Sequence, residues 1–204
     1  MSFVRFWRAR LAVVLLIAAG LASCYVPDDF KAEIRVASNG DFAMSYEGIL
    51  TWAPLYSDIK DGKLAPADIP AKIALFEEDL RRDTNFKEIK SIGKGRYQVR
   101  YERSGHLKGS EMVSFIRRNA LILYIKPTPD GTATIAANMP KGERMENLLA
   151  MGLEIKGILR VSTGVQALRG NADKVKDHGT YKTYDWHINR GTKAAPTIVL
   201  KLGT

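Results

Sequence analysis

The stretch KAEIRVASNGDFAMSYEGILTW, residues 31–52, decides the fold. Its opening alternates, with Ala32, Ile34 and Val36 on one face and Lys31, Glu33 and Arg35 on the other. After Asn39-Gly40 the alternation resumes, and Phe42, Met44, Tyr46, Leu50 and Trp52 share a side. Successive side chains of a strand point to opposite faces, so each run describes a half-buried strand. An Asn-Gly pair between two such runs supplies the backbone freedom of a tight hairpin turn. The reading is an antiparallel hairpin with one apolar and one polar face.

Working outward, residues 67–82 change period. Ile69, Ile73, Phe76 and Leu80 are spaced 4, 3 and 4 apart, which is one stripe of a helix. Asp68 before Pro70 is a candidate cap. Glu77 and Glu78 precede Arg81 and Arg82 by one helical turn, which reads as a solvated face carrying ion pairs. Residues 96–102 alternate around Tyr97, Val99 and Tyr101, and 121–125 are apolar on both faces, as in a central strand. Pro129-Asp130-Gly131 turns into a strand at 132–138. A second helix is predicted over 141–151, with Met145, Leu148 and Leu149, and Gly152 closes it. Strands follow at 153–163, 181–189 and 197–202. The expected class is α+β: a mainly antiparallel sheet with two amphipathic helices packed on it, in one domain spanning 31–204. Ile73, Phe76 and Leu80 are expected to dock on a sheet containing Val99, Leu121, Leu123 and Trp186.

The chain has 204 residues, a net charge of +9 and 26% charged residues, which suits a folded domain with its own core. A single cysteine rules out a disulfide framework. That cysteine stands at the end of a distinctive leader. Arg5, Arg8 and Arg10 precede LAVVLLIAAGLA, residues 11–22, which has no polar side chain. Twelve residues fall short of the roughly twenty that span a bilayer, so the pattern is that of a secretory signal peptide. Leu21-Ala22-Ser23-Cys24 then resembles the lipobox of bacterial lipoproteins. The resemblance implies cleavage after residue 23, a thioether to diacylglycerol at Cys24, and further acylation of its new amine. Alternatives are an uncleaved short anchor or cleavage by the ordinary signal peptidase. Residues 1–23 are thus read as signal peptide and 24–30 as a lipidated tether, holding the domain within roughly 20 Å of the bilayer. Tyr25, where enteric-type lipoproteins retained at the inner membrane have aspartate, favours the outer membrane facing the periplasm.

Catalytic signatures are lacking. His106, His178 and His187 show no metal-ligand spacing, and there is no G-x-S-x-G elbow. Asp185 and His187 share a strand face and read as a surface pair. Gly93-Lys94-Gly95-Arg96 reads as a turn before a strand rather than a phosphate loop. No catalytic residue, metal site or cofactor is assigned.

Charge is more informative. Residues 24–85 carry net −5, 86–118 net +6 and 119–204 net +5. Lys94, Arg96, Arg100, Arg103, Lys108, Arg117 and Arg118 form a candidate anion-binding face, with a merely solvated sheet face as the alternative. The partners considered are a membrane reached through the N-terminal lipid, and an anionic lipid, a glycan or an acidic protein. Nucleic acid would suit the charge but not an exported protein. The other class is an envelope enzyme of hydrolase type whose site is assembled from scattered residues.

The C-terminal order Gly170-Asn171-Ala172-Asp173, His178-Gly179 and Tyr184-Asp185-Trp186-His187-Ile188 resembles that of LppM-type envelope lipoproteins. This implies an α+β domain in the cell envelope and supplies no catalytic motif.

Overall fold

The computed structural model of the protein describes residues 25–116 and 122–203. The opening hairpin forms as its pattern requires. β1 (Tyr25–Val36) and β2 (Asp41–Trp52) pair from Val36↔Phe42 to Tyr25↔Trp52. Gly40 takes φ 86° in the turn, a conformation that costs glycine little. Beyond β2 lie β4 (Arg96–His106) and β3 (Phe86–Ser91), both antiparallel to their neighbours. On its other edge β1 pairs in parallel with β8 (Gly157–Thr163), followed by β11 (Lys182–Ile188) and β10 (Lys174–Asp177). The result is a seven-stranded sheet, β10-β11-β8-β1-β2-β4-β3, with β1 at its centre.

A second sheet has the order β5-β6-β7-β12-β9. Its strands are β5 (Val113–Phe115), β6 (Leu123–Pro127), β7 (Thr132–Ala137), β9 (Gln166–Gly170) and β12 (Thr197–Lys201). The fold is therefore α+β, as expected, but with two mostly antiparallel sheets where one was predicted. An aromatic stack joins them. Phe115 lies 4.3 Å from Tyr46 and 4.9 Å from Tyr101, and Tyr46 stacks in turn on Phe30 at 5.3 Å. Tyr46, Tyr101 and Phe115 are fully buried, so this stack occupies the middle of the core.

There are three α-helices among the described residues: α1 (Ala53–Lys60), α2 (Ile69–Arg81) and α3 (Glu143–Ala150). The predicted helices correspond to α2 and α3, and α1 was missed. A 3-10 turn, Pro66–Asp68, leads into α2, and Asp68 makes no side-chain cap bond. The α2 stripe docks more shallowly than expected. Leu80 is buried, whereas Ile73 and Phe76 are half-buried. Phe76 stacks on Trp52 at 4.7 Å, and the Tyr97 hydroxyl donates to the Ile73 carbonyl at 2.9 Å. Of the predicted docking partners, Val99 and Trp186 lie in the seven-stranded sheet, Leu123 lies in the other, and Leu121 is outside the described residues. Arg81 pairs with Glu77 at 2.7 Å as expected, while Arg82 takes Asp79 at 3.4 Å rather than Glu78.

The tether needs correction. Residues 25–30 are the first half of β1 and not a spacer. Tyr25 and Val26 are buried, and Tyr25 packs edge-on against Trp52 at 4.8 Å. Pro27-Asp28-Asp29 reads as loop because its residues disfavour strands. They are accommodated by an irregularity in the register between Asp28 and Lys31, with Asp29 at φ 45°. Across from it Gly48 leaves room for Phe30: a Cβ there would lie 2.5 Å from the Phe30 Cβ.

Candidate functional site

The outward face of the seven-stranded sheet collects the polar positions of β1 and its neighbours, and the registers align them in rows. One row reads Lys174, Asp185, Arg160, Glu33, Ser45 and Glu102 across six strands. The next reads Lys176, Thr183, Ser162, Arg35, Ala43 and Ser104. The first row alternates in sign from Lys174 to Glu33, the arrangement that favours cross-strand neighbours. The second has no carboxylate, and its short side chains leave a depression between its cations.

That depression measures about 620 Å³ and is walled by Arg35, Arg160, Lys176, His178 and Tyr181 over Ser162 and Thr183. Both guanidiniums are held from one edge. Arg160 donates through Nε and Nη2 to Asp185 at 2.7 and 3.0 Å. Arg35 donates likewise to Glu33 at 2.8 and 3.0 Å. Such two-point pairing fixes a planar guanidinium in orientation. The Nη1 of each makes no hydrogen bond to another described residue. Ser162 Oγ also donates to Glu33 at 2.9 Å, tying β8 to β1.

These contacts set the charge states. The hydrogen bond from Arg160 holds the Asp185 carboxyl below its ordinary value, against the opposing effect of burial. The bond from Arg35 does the same for Glu33. The carboxylates in turn push both guanidiniums up, with a smaller contribution from the Tyr181 phenol in each case. Tyr181 and His178 come from the turn between β10 and β11, where their rings stack at 4.7 Å and 13°. Tyr181 remains 43% exposed. Two further depressions, of about 370 and 540 Å³, adjoin the first, and all three share Glu33.

Of the cations singled out in the sequence, Arg100 lines the depression of about 540 Å³ and Arg103 that of about 370 Å³, while the others are spread along the chain. Lys94 lies in the β3–β4 turn at φ 54°, and Arg96 faces Asp28 at 3.7 Å. Arg100 pairs with Glu102 at 2.7 Å and has Glu47 and Glu88 as its register partners. Arg103 has the opposite strand parity and donates to the Ser114 carbonyl of the second sheet at 3.2 Å. Lys108 is in the loop beyond β4. Arg117 and Arg118 lie outside the described residues, as do Leu21, Ala22, Ser23 and Cys24. Asp185 and His187 share a face as expected, but Asp185 is buried under Arg160 and not a surface residue, while His187 lies 3.9 Å from Asp173.

The depression escaped sequence reading because its residues come from distant strands. Arg35 and Ser162 meet only through the parallel β1–β8 pairing. The C-terminal rhythm has a structural explanation. Asn171 accepts from the Trp186 indole at 2.9 Å and from the Thr197 backbone at 2.8 Å, bridging the two sheets. Among the described residues no group of three or more His, Cys, Asp or Glu could hold a metal, and no helix is long and apolar enough to cross a membrane.

No family model matches the chain, and no curated protein matches it. Among solved structures, the folded domain of LppM from Mycobacterium tuberculosis, determined by NMR, is similar over 90% of this chain and 92% of that one. The identity is 9% and the TM-score 0.39. A zinc metallopeptidase of the M1 type from Deinococcus radiodurans is similar over 87% of this chain and 42% of that one, at 10% identity and TM-score 0.34. Likenesses this loose transfer neither a residue role nor an activity.

Proposed function

We propose that this chain is a bacterial envelope protein held to a membrane by lipid on Cys24, and that its domain binds an anionic partner without catalysing a reaction. Tyr25 after the cysteine favours the outer membrane, facing the periplasm. The observation that carries the binding reading is the pair of guanidiniums, Arg35 and Arg160, each fixed by a carboxylate and both lining one depression. Donors held in place before a ligand arrives lose little entropy on binding. The depression favours binding over hydrolysis. Its hydroxyl–imidazole contact, His178 Nε2 to Thr183 Oγ1, is 3.4 Å long, and no carboxylate among the described residues hydrogen-bonds that imidazole. In a nucleophile–base pair a third group normally orients the base, and no described carboxylate does so for this imidazole.

The test uses the full chain in a non-ionic detergent, presented with mixed micelles containing an anionic lipid, acidic oligosaccharides and acidic polypeptides. At least one class is expected to bind, with affinity falling as salt shortens the Debye length below about 10 Å. Arg35→Glu, which leaves the Arg160–Asp185 pair intact, should abolish that binding in protein whose melting curve shows it folded. Equal binding by the variant, or no binding by the parent, overturns the reading.

A further inference from the structure

The depression lies far from the point of attachment. Cys24 is covalently next to Tyr25, and Tyr25 is fixed in the core at one end of β1. Arg35 stands ten residues further along that strand, about 30 Å away at 3.3 Å per residue. Lys176, His178 and Tyr181 lie at the same far end, beside the last residues of β1 and β8. With lipid on Cys24, the depression stands at the opposite end of β1 from the attachment.

Its chemistry narrows the occupant further. The site sets Arg35, Arg160 and Lys176 against Glu33 and Asp185, leaving one cation unmatched. A ligand with a single negative charge balances it. Tyr181, backed by the His178 ring, offers an aromatic shelf beside the guanidiniums, while Ser162 and Thr183 provide hydroxyls in the floor. A flat apolar face next to fixed donors suits a molecule that is itself two-sided. Sugars have such a form, with C–H bonds on a ring face and hydroxyls around the rim.

We infer that the depression binds a sugar unit bearing a carboxylate, its anion on the Nη1 edges of Arg35 and Arg160 and its ring against Tyr181. This rests on the binding reading above and names its ligand class. The adjoining depressions that share Glu33 give neighbouring units of a glycan chain a path across the sheet.

The experiment is calorimetric titration of the full chain in non-ionic detergent with an oligouronate, its methyl ester, polyglutamate and mixed micelles of the same detergent with an anionic lipid. The oligouronate is expected to bind, with the uncharged ester about tenfold weaker or more. Tyr181→Ala should weaken the oligouronate about tenfold while leaving the melting curve unchanged. Arg35→Gln should weaken it at least as much, and Arg35→Lys should restore only part of the loss. An ester that binds as well as the acid, or Tyr181→Ala within about twofold of the parent, overturns the saccharide assignment. Arg35-dependent binding of polyglutamate or anionic mixed micelles with no binding of oligouronate overturns it too, while leaving the broader binding reading in place. Absence of Arg35-dependent binding to every probe removes both.

Discussion

Arg160 on β8 grips Asp185 on β11 through two hydrogen bonds, and the two members of the pair differ sharply in their access to water. The aspartate side chain is 7% exposed and the arginine 45%. The carboxylate is thus committed to the fold, while the guanidinium serves both fold and solvent.

Arg160→Met should therefore destabilise the domain, because a nearly buried carboxylate loses its partner. The expected cost is about 2 kcal/mol, below that of a fully buried pair because this arginine is half in water. Asp185 titrates below its ordinary 3.8 in the folded protein, so its contribution is present above that value and lost as pH falls through the lower folded value. Urea titrations of parent and variant should differ at pH 7 and converge as the pH is lowered below the ordinary carboxylate range. A gap that persists unchanged in acid would assign the loss to packing.

Gly48→Ala is expected to be costly although it adds one carbon. The new Cβ would sit 2.5 Å from the Phe30 Cβ and 2.6 Å from its Cα, so the backbone of β1 would have to move. Overpacking of this kind costs about 1–3 kcal/mol, readable as a lower melting temperature. A melting curve superimposable on the parent's would show that β1 yields freely at that point.

Phe76→Ala and Leu80→Ala should rank in an order that helix periodicity alone does not give. Leu80 is buried, and its truncation is expected to cost about 3 kcal/mol. Phe76 is half-buried against Trp52, so its loss should cost about 2 kcal/mol, less than for a core aromatic site. Denaturant midpoints that reverse this order would mean that α2 seats more deeply at Phe76 than the structure has it.

Cys24→Ala should leave the precursor unacylated and uncleaved. Metabolic labelling with a fatty-acid analogue, read by gel mobility and fluorescence, checks this. Undiminished label in the variant would place the lipid elsewhere.

Arg100→Glu tests the sheet face from the opposite direction. Arg100 already has Glu47, Glu88 and Glu102 around it and lines only the adjoining depression, so its reversal should weaken anion binding by less than Arg35→Glu does. A loss as large as that of Arg35→Glu would move the binding surface toward β4.

The opening hairpin and the α2 stripe were legible because their information is local: a period of two broken by Asn-Gly, and a period near 3.6 ended by charge. α1 was not, since Ala53-Pro54 carries no capping side chain and only Leu55 is buried. The start of β1 was hidden because two aspartates and a proline form a strand only with the bulge beside Gly48. The depression was hidden more deeply. Arg35, Arg160 and Lys176 look like ordinary solvated positions of separate strands until a parallel pairing sets two of those strands side by side. The cluster from Lys94 to Arg118 was conspicuous because it is close in sequence, but a strand spreads its residues along some 3.3 Å per step and alternates their faces.

The central place of β1 also has a consequence in time. Its two neighbours become available at very different moments of synthesis, β2 at once and β8 only after residue 163. Until then the parallel edge of β1, from Phe30 to Val36, is an unpaired template with buried-type residues at alternate positions. Closing a pairing over that span is slow compared with forming the hairpin. β1 is thus left half-paired until β8 has been made, and that interval leaves this chain open to pairing with the wrong partner.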